Sequence, residues 1–519
     1  MKLANSSLIS KIDEYSQAEL GISIKTLMER SGDAVANTVK KMTAKGGRVA
    51  ILAGKGNNGG DGYAAAVKLM NEYDVTVYDI FSGGQKTSEG NHFLTLYKDL
   101  GGAVVNFAPT EQILGDIKNS SCIVDAVFGT GFHGEMPEEI RPLAIAIRES
   151  VEAEKIAIDV PLGINADNGS VSDFAISVGA TVELSFIKPG IISYPARSYV
   201  GNIVYDDLGL PRKRITEKFP FKYHMIDSDW VEAALPKREE NSNKGSFGKL
   251  LVITGSKKYR GAAHLSVEAA LRGGVGLVSF LGVEELCREL SQKYPEVIYK
   301  RTGDISELRE ADIEDIVSLA NKHSATLIGS GSDNTDGLLT LVLAFLCTEG
   351  TPVILDADAI NALSSIGGDG VRAIKEAKRK VILTPHPLEF ARLSGSDVAT
   401  VQLNRLEAAE KFAKENGCIL VLKGAGTIIS DGDETFINVS GTSALAKAGS
   451  GDVLAGFMAA FIAQKKTEIY KAAALSVYYH AVAGEALAEE YSSYGVTPSD
   501  LPKEMARQIA NSEKTEKFN

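Results

Sequence analysis

Gly449-Ser450-Gly451-Asp452 stands immediately before the apolar run Val453 to Ala463, and Asn438 to Ala448 leads into it. The apolar run reads as a helix. Glycines at a helix start let backbone N–H groups turn toward one point, and the helix dipole adds positive potential there. The stretch is therefore an anion site. Asp452 cannot itself bind a phosphate, because like charges repel. Its useful role is to take a proton from a hydroxyl that then meets phosphorus. The plainer reading is a tight turn with Asp452 as a capping acid. The tetrapeptide alone leaves both readings open, and its companions decide between them.

Upstream, each strand of the second half ends in glycines or polar residues. Lys249–Thr254 runs into Gly255-Ser256, and Gly261-Ala262-Ala263 then begins a helix. Thr326–Ile328 ends in Gly329-Ser330-Gly331, and Val353–Leu355 in Asp356-Ala357-Asp358-Ala359. Val381–Leu383 ends in Thr384-Pro385-His386-Pro387, and Ile419–Leu422 in Lys423-Gly424-Ala425-Gly426-Thr427. Parallel α/β sheets bind ligands at that edge, so one ligand edge is implied. Taken singly, His386 could be a rigid buried turn, Asp356 and Asp358 helix caps, and Lys423 a solvated lysine. A lysine ahead of Gly-Ala-Gly-Thr also suits a phosphate loop.

The first half repeats the logic without repeating the sequence. Ser10 to Met42 is helical in pattern, with Leu20, Ile24, Leu27 and Met28 on one face and Val35 and Val39 continuing it. The strand Arg48–Ala53 runs into Gly54-Lys55-Gly56-Asn57-Asn58-Gly59-Gly60-Asp61-Gly62, then a helix from Tyr63 to Met70 and the strand Val75–Ile80. That order is a parallel α/β unit. Gly54, Gly56 and Gly59 fit the dinucleotide fingerprint, with Asp79 as the ribose acid, so an ordinary nicotinamide-binding domain is the alternative. The Asn57–Asp61 core is more polar than a pyrophosphate turn requires. It suits a ligand with an amide and hydroxyls, or a monovalent cation. Asp125 to Glu135 follows the strand Cys122–Val127, and Asp159-Val160-Pro161-Leu162-Gly163 follows Lys155–Ile158.

Size and composition set the bounds. The chain has 519 residues, which suggests two or three domains. Its 67 acidic against 55 basic residues give a net charge of −12, which argues against nucleic-acid or anionic-membrane binding. Cys122, Cys287, Cys347 and Cys418 have no metal or redox spacing, and the seven histidines form no ligand cluster. The apolar runs Leu338–Cys347 and Val453–Ala463 are shorter than the roughly 20 residues of a membrane span. Met1 to Ser10 has no signal-peptide core. A cytoplasmic protein is expected. Pro211 to Lys222 is basic and holds Pro220 as well, so the linker is placed at 212–222, between domains at 1–211 and 223–519.

Two resemblances make this specific. Leu27-Met28-Glu29-Arg30-Ser31-Gly32, Asn57–Asp61, Asp125 to Gly134 and Asp159–Gly163 resemble the NAD(P)H-hydrate epimerases, over roughly Met1 to Pro211. Asn243–Gly248, Asp356–Ala359, Thr384–Pro387, Lys423–Thr427 and Gly449–Asp452 resemble the ADP/ATP-dependent NAD(P)H-hydrate dehydratases, over about Phe221 to Ala510. The resemblance implies an α/β chain: an N-terminal Rossmann-like three-layer domain and a C-terminal ribokinase-like domain. It implies that the first domain interconverts the R and S epimers of hydrated NADH and NADPH (NADHX and NADPHX). The second would dehydrate the S form with ADP or ATP.

By the same resemblance, Asn57, Asn58, Gly59, Gly60 and Asp61, with Gly129, Thr130, Gly131, Phe132, His133, Gly134 and Glu135, would line the first pocket. Asp159 would contact substrate as acid/base. Asn58 and Asp125 would hold K⁺. The family has serine where this chain has Leu162, so either the Leu162 carbonyl is the ligand or the cation site is weakened. In the second domain Ala262, Gly331, His386 and Asp452 would contact the hydrate. Lys423, Gly424, Ala425, Gly426, Thr427 and Gly451 would bind ADP or ATP, with Mg²⁺ on its phosphates and Asp452 as the base. A homo-oligomer is expected. Two other readings carry over: a ribokinase-type small-molecule kinase with a nucleotide-binding accessory domain, and a nucleotide-sensing binding protein.

Overall fold

The computed structural model describes residues 1–84, 86–305 and 308–515. It divides into two compact units, Lys2–Tyr223 and His224–Asn519, the second taking in Met1.

The first unit is a parallel sheet in the order Ala103–Asn106, Asp74–Asp79, Arg48–Ala53, Cys122–Ala126, Glu154–Ile158, Ala180–Leu184, Asn202–Asp206. From Arg48–Ala53 the chain first builds toward one edge, then returns to build toward the other. The order therefore reverses between Arg48–Ala53 and Cys122–Ala126, with Leu52 level with Asp125. A crevice opens beyond the C-terminal ends of strands at such a switch point. Val49 to Ala53 are all buried, as expected of a parallel strand covered on both faces.

Two expectations need correction here. The Ser10–Met42 pattern is two helices, Ser6–Ala18 and Ile24–Met42. Gly21 takes φ +68°, and Asn5 and Ser23 each cap a helix by accepting a backbone N–H, from Leu8 and Thr26. Likewise Asn57–Asp61 is no loop before a helix: it is the first turn of the helix Asn57–Leu69. The approach is close enough that a Cβ on Gly59 would lie 2.0 Å from the Gly54 carbonyl oxygen.

The stretch expected as a linker, 212–222, folds onto the first unit. Arg212–Lys218 is helical. Ile215 and Phe221 are buried in that unit's core. The Phe221 ring lies tilted 5.2 Å from that of Phe186, and Phe219 meets Tyr15 edge-on at 5.5 Å. Its basic residues hid an apolar face. A fragment ending at Leu210 should accordingly be less stable than one ending at Tyr223. Two lost apolar side chains cost about 3–6 kcal/mol at 1.5–3 each. Urea melting of the two fragments checks this, and equal midpoints would count against it.

The second unit carries, in sequence of pairing, Thr435–Asn438, Ile428–Ser430, Ile419–Leu422, Val381–Leu383, Val353–Leu355, Ala325–Ile328, Lys249–Ile253, Leu277–Gly282 and Ile298–Arg301. All are parallel except Ile428–Ser430, which runs against both of its neighbours. The switch point lies between Lys249–Ile253 and Ala325–Ile328. Gly255 N–H donates to the Ser330 carbonyl there, at 2.7 Å. The helix Ser450–Ala463 is buried over almost its whole length, which is why it is apolar all round. A Cβ on Gly456 would lie 2.2 Å from the Ser266 carbonyl oxygen of helix Arg260–Arg272. Among the described residues no helix is long and apolar enough to cross a membrane.

Two candidate active sites

In the first unit the crevice is a cleft of about 490 Å³, within the ~300–1,000 Å³ usual for small-molecule sites. Asn57, Asn58, Asp61, Gly129, Thr130, Gly131 and Asp159 line it, as the sequence implies. The rest of the Gly129–Glu135 stretch does not. Phe132 turns inward, its ring 5.4 Å from that of Phe128, and His133, Gly134 and Glu135 face solvent.

Asn58 donates through Nδ2 to the Phe128 carbonyl at 2.7 Å, while its Oδ1 is buried with no partner. An orphaned oxygen of this kind is what a cation would satisfy. Asp125 accepts from the N–H groups of Val127, at 3.2 Å, and Leu162, at 2.6 Å. Burial pushes its carboxyl up to about 7. Leu162 thus meets the site with an N–H. Its carbonyl accepts from Ile176 N–H at 3.0 Å, and its side chain lies wholly inside an apolar cluster.

The sequence reading missed the groups that surround Asp159. Asp159 takes φ +67°, a conformation that costs a non-glycine residue about 1–3 kcal/mol, and its carboxylate pairs with Lys188 Nζ. Lys188 is buried, 3.4 Å from Glu183 and 3.1 Å from the Leu184 carbonyl. Burial works against its ammonium, but Asp159 and Glu183 more than offset this and hold its pKa above the ordinary value. Burial, then the nearby Asp159, pushes Asp13 up to about 6 and Asp61 well above the usual carboxyl range. The one available signal was a lysine in the apolar stretch Phe186-Ile187-Lys188-Pro189.

In the second unit Asp356 gathers three strand ends. It accepts from Ser330 Oγ at 2.8 Å and Thr384 Oγ1 at 2.7 Å, and pairs with Lys423 at 2.9 Å. Lys423 in turn reaches the start of helix Ser450–Ala463: a Cβ on Gly451 would sit 3.3 Å from its Nζ. Asp452 is the third residue of helix Ser450–Ala463. Burial pushes its carboxyl up to about 7; Asp356 adds to the rise and Lys423 opposes it. The Lys423–Thr427 loop is shaped from behind by Arg405, which the sequence did not single out. The buried Arg405 Nη2 donates to the carbonyls of Leu422 and Lys423 at 3.2 Å, and Gly424 takes φ +136°.

His386 caps the helix Pro387–Ser394. Its Nδ1 accepts from the N–H groups of Leu388 and Glu389, at 3.1 and 3.3 Å. The ring proton is therefore on Nε2, 3.3 Å from Glu389 Oε1. Ala262 and Gly331 are neighbours; a Cβ on Gly331 would fall 2.6 Å from that of Ala262.

Comparison with known proteins agrees in both halves. Residues 250–507 match the family described as NAD(P)H-hydrate dehydratase, and residues 24–190 the one described as YjeF-related protein N-terminus. The chain is 30% identical over 514 residues to the bifunctional NAD(P)H-hydrate repair enzyme Nnr of Moorella thermoacetica, covering 96% of this chain and 95% of that one. It is 30% identical over 507 residues to the Escherichia coli protein of the same name, covering 96% and 92%. Among solved structures it is similar to the ADP/ATP-dependent NAD(P)H-hydrate dehydratase of Bacillus subtilis co-crystallised with ATP/Mg²⁺. The identity there is 30%, covering 56% of this chain and 98% of that one, with a TM-score of 0.48.

Proposed function

We infer the chemistry of each site from one premise: the chain belongs to the family of bifunctional NAD(P)H-hydrate repair enzymes. It joins an NAD(P)H-hydrate epimerase to an NAD(P)H-hydrate dehydratase.

Dehydration in the second unit needs a leaving group better than hydroxide. Asp452 takes the proton of the ring hydroxyl, and the oxygen attacks the terminal phosphorus of ADP or ATP. The old P–O bond breaks toward AMP or ADP. The phosphorylated ring then loses phosphate with its C–O electron pair, and a ring proton departs, giving NADH or NADPH. The observation that carries this is the Asp452 carboxyl, raised to about 7 at the start of a buried helix, where a general base is best matched to neutral pH. Lys423 and the backbone N–H groups of the helix start hold charge on the transferring group. Among the described residues no group of three or more acidic, histidine or cysteine side chains could hold a metal. Mg²⁺ would therefore arrive on the nucleotide phosphates, where it supplies charge neutralisation.

Epimerisation in the first unit needs an acid and a base across one ring carbon. Asp61, whose carboxyl burial raises well above the ordinary range, gives a proton to the departing hydroxyl, and the ring nitrogen's electron pair fills the gap. Water returns on the other face and loses a proton to Asp159, whose charge Lys188 balances. K⁺ would be held by Asn58 Oδ1 and Asp125, with Leu162 giving an N–H and no oxygen. Leu162→Ser should therefore leave the potassium dependence of epimer exchange unchanged. It should cost about 2–5 kcal/mol of stability, as buried leucine truncations do. A tightened potassium titration would contradict that placement.

The reading is tested by supplying mixed hydrate epimers with each nucleotide. Restored NADH absorbance with release of phosphate is expected. A phosphorylated product without NADH would indicate a kinase, and nucleotide binding without turnover a sensor.

A further inference from the structure

We propose that His480 is a positioning residue for the phosphoryl-transfer site, and that it leaves the Ser450 hydroxyl hydrogen free to donate to the transferring phosphoryl group. This rests on the dehydratase reading and adds a donor to it.

His480 lies on helix Ile469–Gly495 and is buried. Its Nε2 is 3.0 Å from Ser450 Oγ and 3.1 Å from the Ser450 carbonyl oxygen. A carbonyl oxygen only accepts, so Nε2 carries a proton and shares it between the two oxygens. The hydroxyl oxygen, facing an N–H, is then an acceptor at this contact. Its own O–H is left to give. Burial pushes the ring pKa down to about 4, which keeps the imidazole neutral.

The position of Ser450 gives that spare donor a use. Ser450 is the first residue of helix Ser450–Ala463, turned in by Gly449 at φ +99°. Ser450 N–H is taken by the Lys447 carbonyl and Val453 N–H by the Gly449 carbonyl, each at 3.2 Å. The N–H groups of Gly451 and Asp452, between them, have no partner within the helix, as at any helix start. A free hydroxyl thus adjoins two free N–H groups, with Lys423 over Gly451. By gripping both oxygens of Ser450 from a second helix, His480 fixes the orientation of this turn. Being neutral, it does so without altering the balance among Asp452, Lys423 and Asp356.

The test compares four full-length variants in the NADH-recovery assay, with thermal melting alongside. Removing one donor to a transition-state anion typically costs on the order of 10²-fold in kcat. Ser450→Ala should show a loss of that size with little change in the nucleotide KM, and Ser450→Thr, which keeps the hydroxyl, should recover most of it. His480→Gln, which still offers an N–H, should retain more kcat than His480→Leu. A bond serving only to join two helices would lower melting temperatures without this kcat pattern. Wild-type-like kcat in Ser450→Ala, or equal kcat losses in His480→Gln and His480→Leu, would overturn the proposal alone. Failure of the wild-type chain to recover NADH would overturn the dehydratase reading together with it.

Discussion

Asp452→Asn should abolish nucleotide-dependent recovery of NADH while exchange between the hydrate epimers continues. Asparagine keeps the size of the side chain and much of its hydrogen bonding but cannot take a proton. Losing a general base typically costs about 10²–10⁴-fold in rate. The pH dependence should follow from the same carboxyl. Asp452 must be ionised to act, and burial beside Asp356 raises it to about 7. The wild-type kcat/KM for dehydration should therefore fall as pH drops through about 7, and the residual rate of Asp452→Asn should lack that limb. Nucleotide should still bind, since Lys423–Thr427 and the glycine backbone are unchanged. An Asp452→Asn protein with the wild-type acid limb would assign the titration to another group.

Lys188→Met should be the most destabilising single change in the first unit and should also stop epimer exchange. Methionine approximates the lysine stem but removes the ammonium that Asp159 and Glu183 share. Breaking a buried ion pair in this way costs about 3–5 kcal/mol. The cost should depend on pH. Burial already holds Glu183 above the ordinary carboxylate range, and without Lys188 it would rise further. A carboxyl whose folded pKa exceeds its unfolded value favours the folded state most when protonated, below the unfolded pKa. That contribution is lost as pH climbs toward the folded value. The wild-type carboxyl is itself pushed up to about 8, so the two proteins part company only above that pH: Lys188→Met should be closer to wild-type stability at pH 7 than at pH 10, as urea melts at the two values would report. Equal destabilisation at both would mean that Glu183 is not the group left stranded. Dehydration of the S hydrate by the second unit should persist.

The ligand edges were legible because glycine and acid clusters follow short apolar strands, and a parallel sheet carries every such cluster to the same side. Asn57–Asp61, Asp125, Asp159, Asp356, Lys423 and Asp452 were singled out on that ground. What stayed hidden depends on partners distant in sequence. Lys188 is a single lysine in an apolar stretch until the fold sets it on Asp159. Arg405 sits in an amphipathic helix and gains its role only where the Leu422–Lys423 carbonyls turn onto it. Asp13 reaches the cleft from a helix whose break at Gly21 the periodicity ran straight through. For Leu162 the sequence left open a carbonyl ligand or a weakened cation site, and it could not show that the Leu162 N–H fixes Asp125. The 212–222 segment was misjudged because its charges outnumber the two apolar side chains that anchor it.

In the proposed chemistry two separate carboxylates, Asp159 and Asp452, serve two consecutive reactions on one damaged cofactor. A time course of NADH recovery from mixed R and S hydrates, run on the wild-type chain and on Asp159→Asn with excess nucleotide, separates the two roles. The wild-type chain should convert the whole mixture in one phase. Asp159→Asn should consume the S form at the wild-type rate and then stall, clearing the R form only at the spontaneous rate. If Asp159→Asn cleared both epimers as the wild-type chain does, Asp159 would not be the epimerising group and the two-carboxylate account would be wrong.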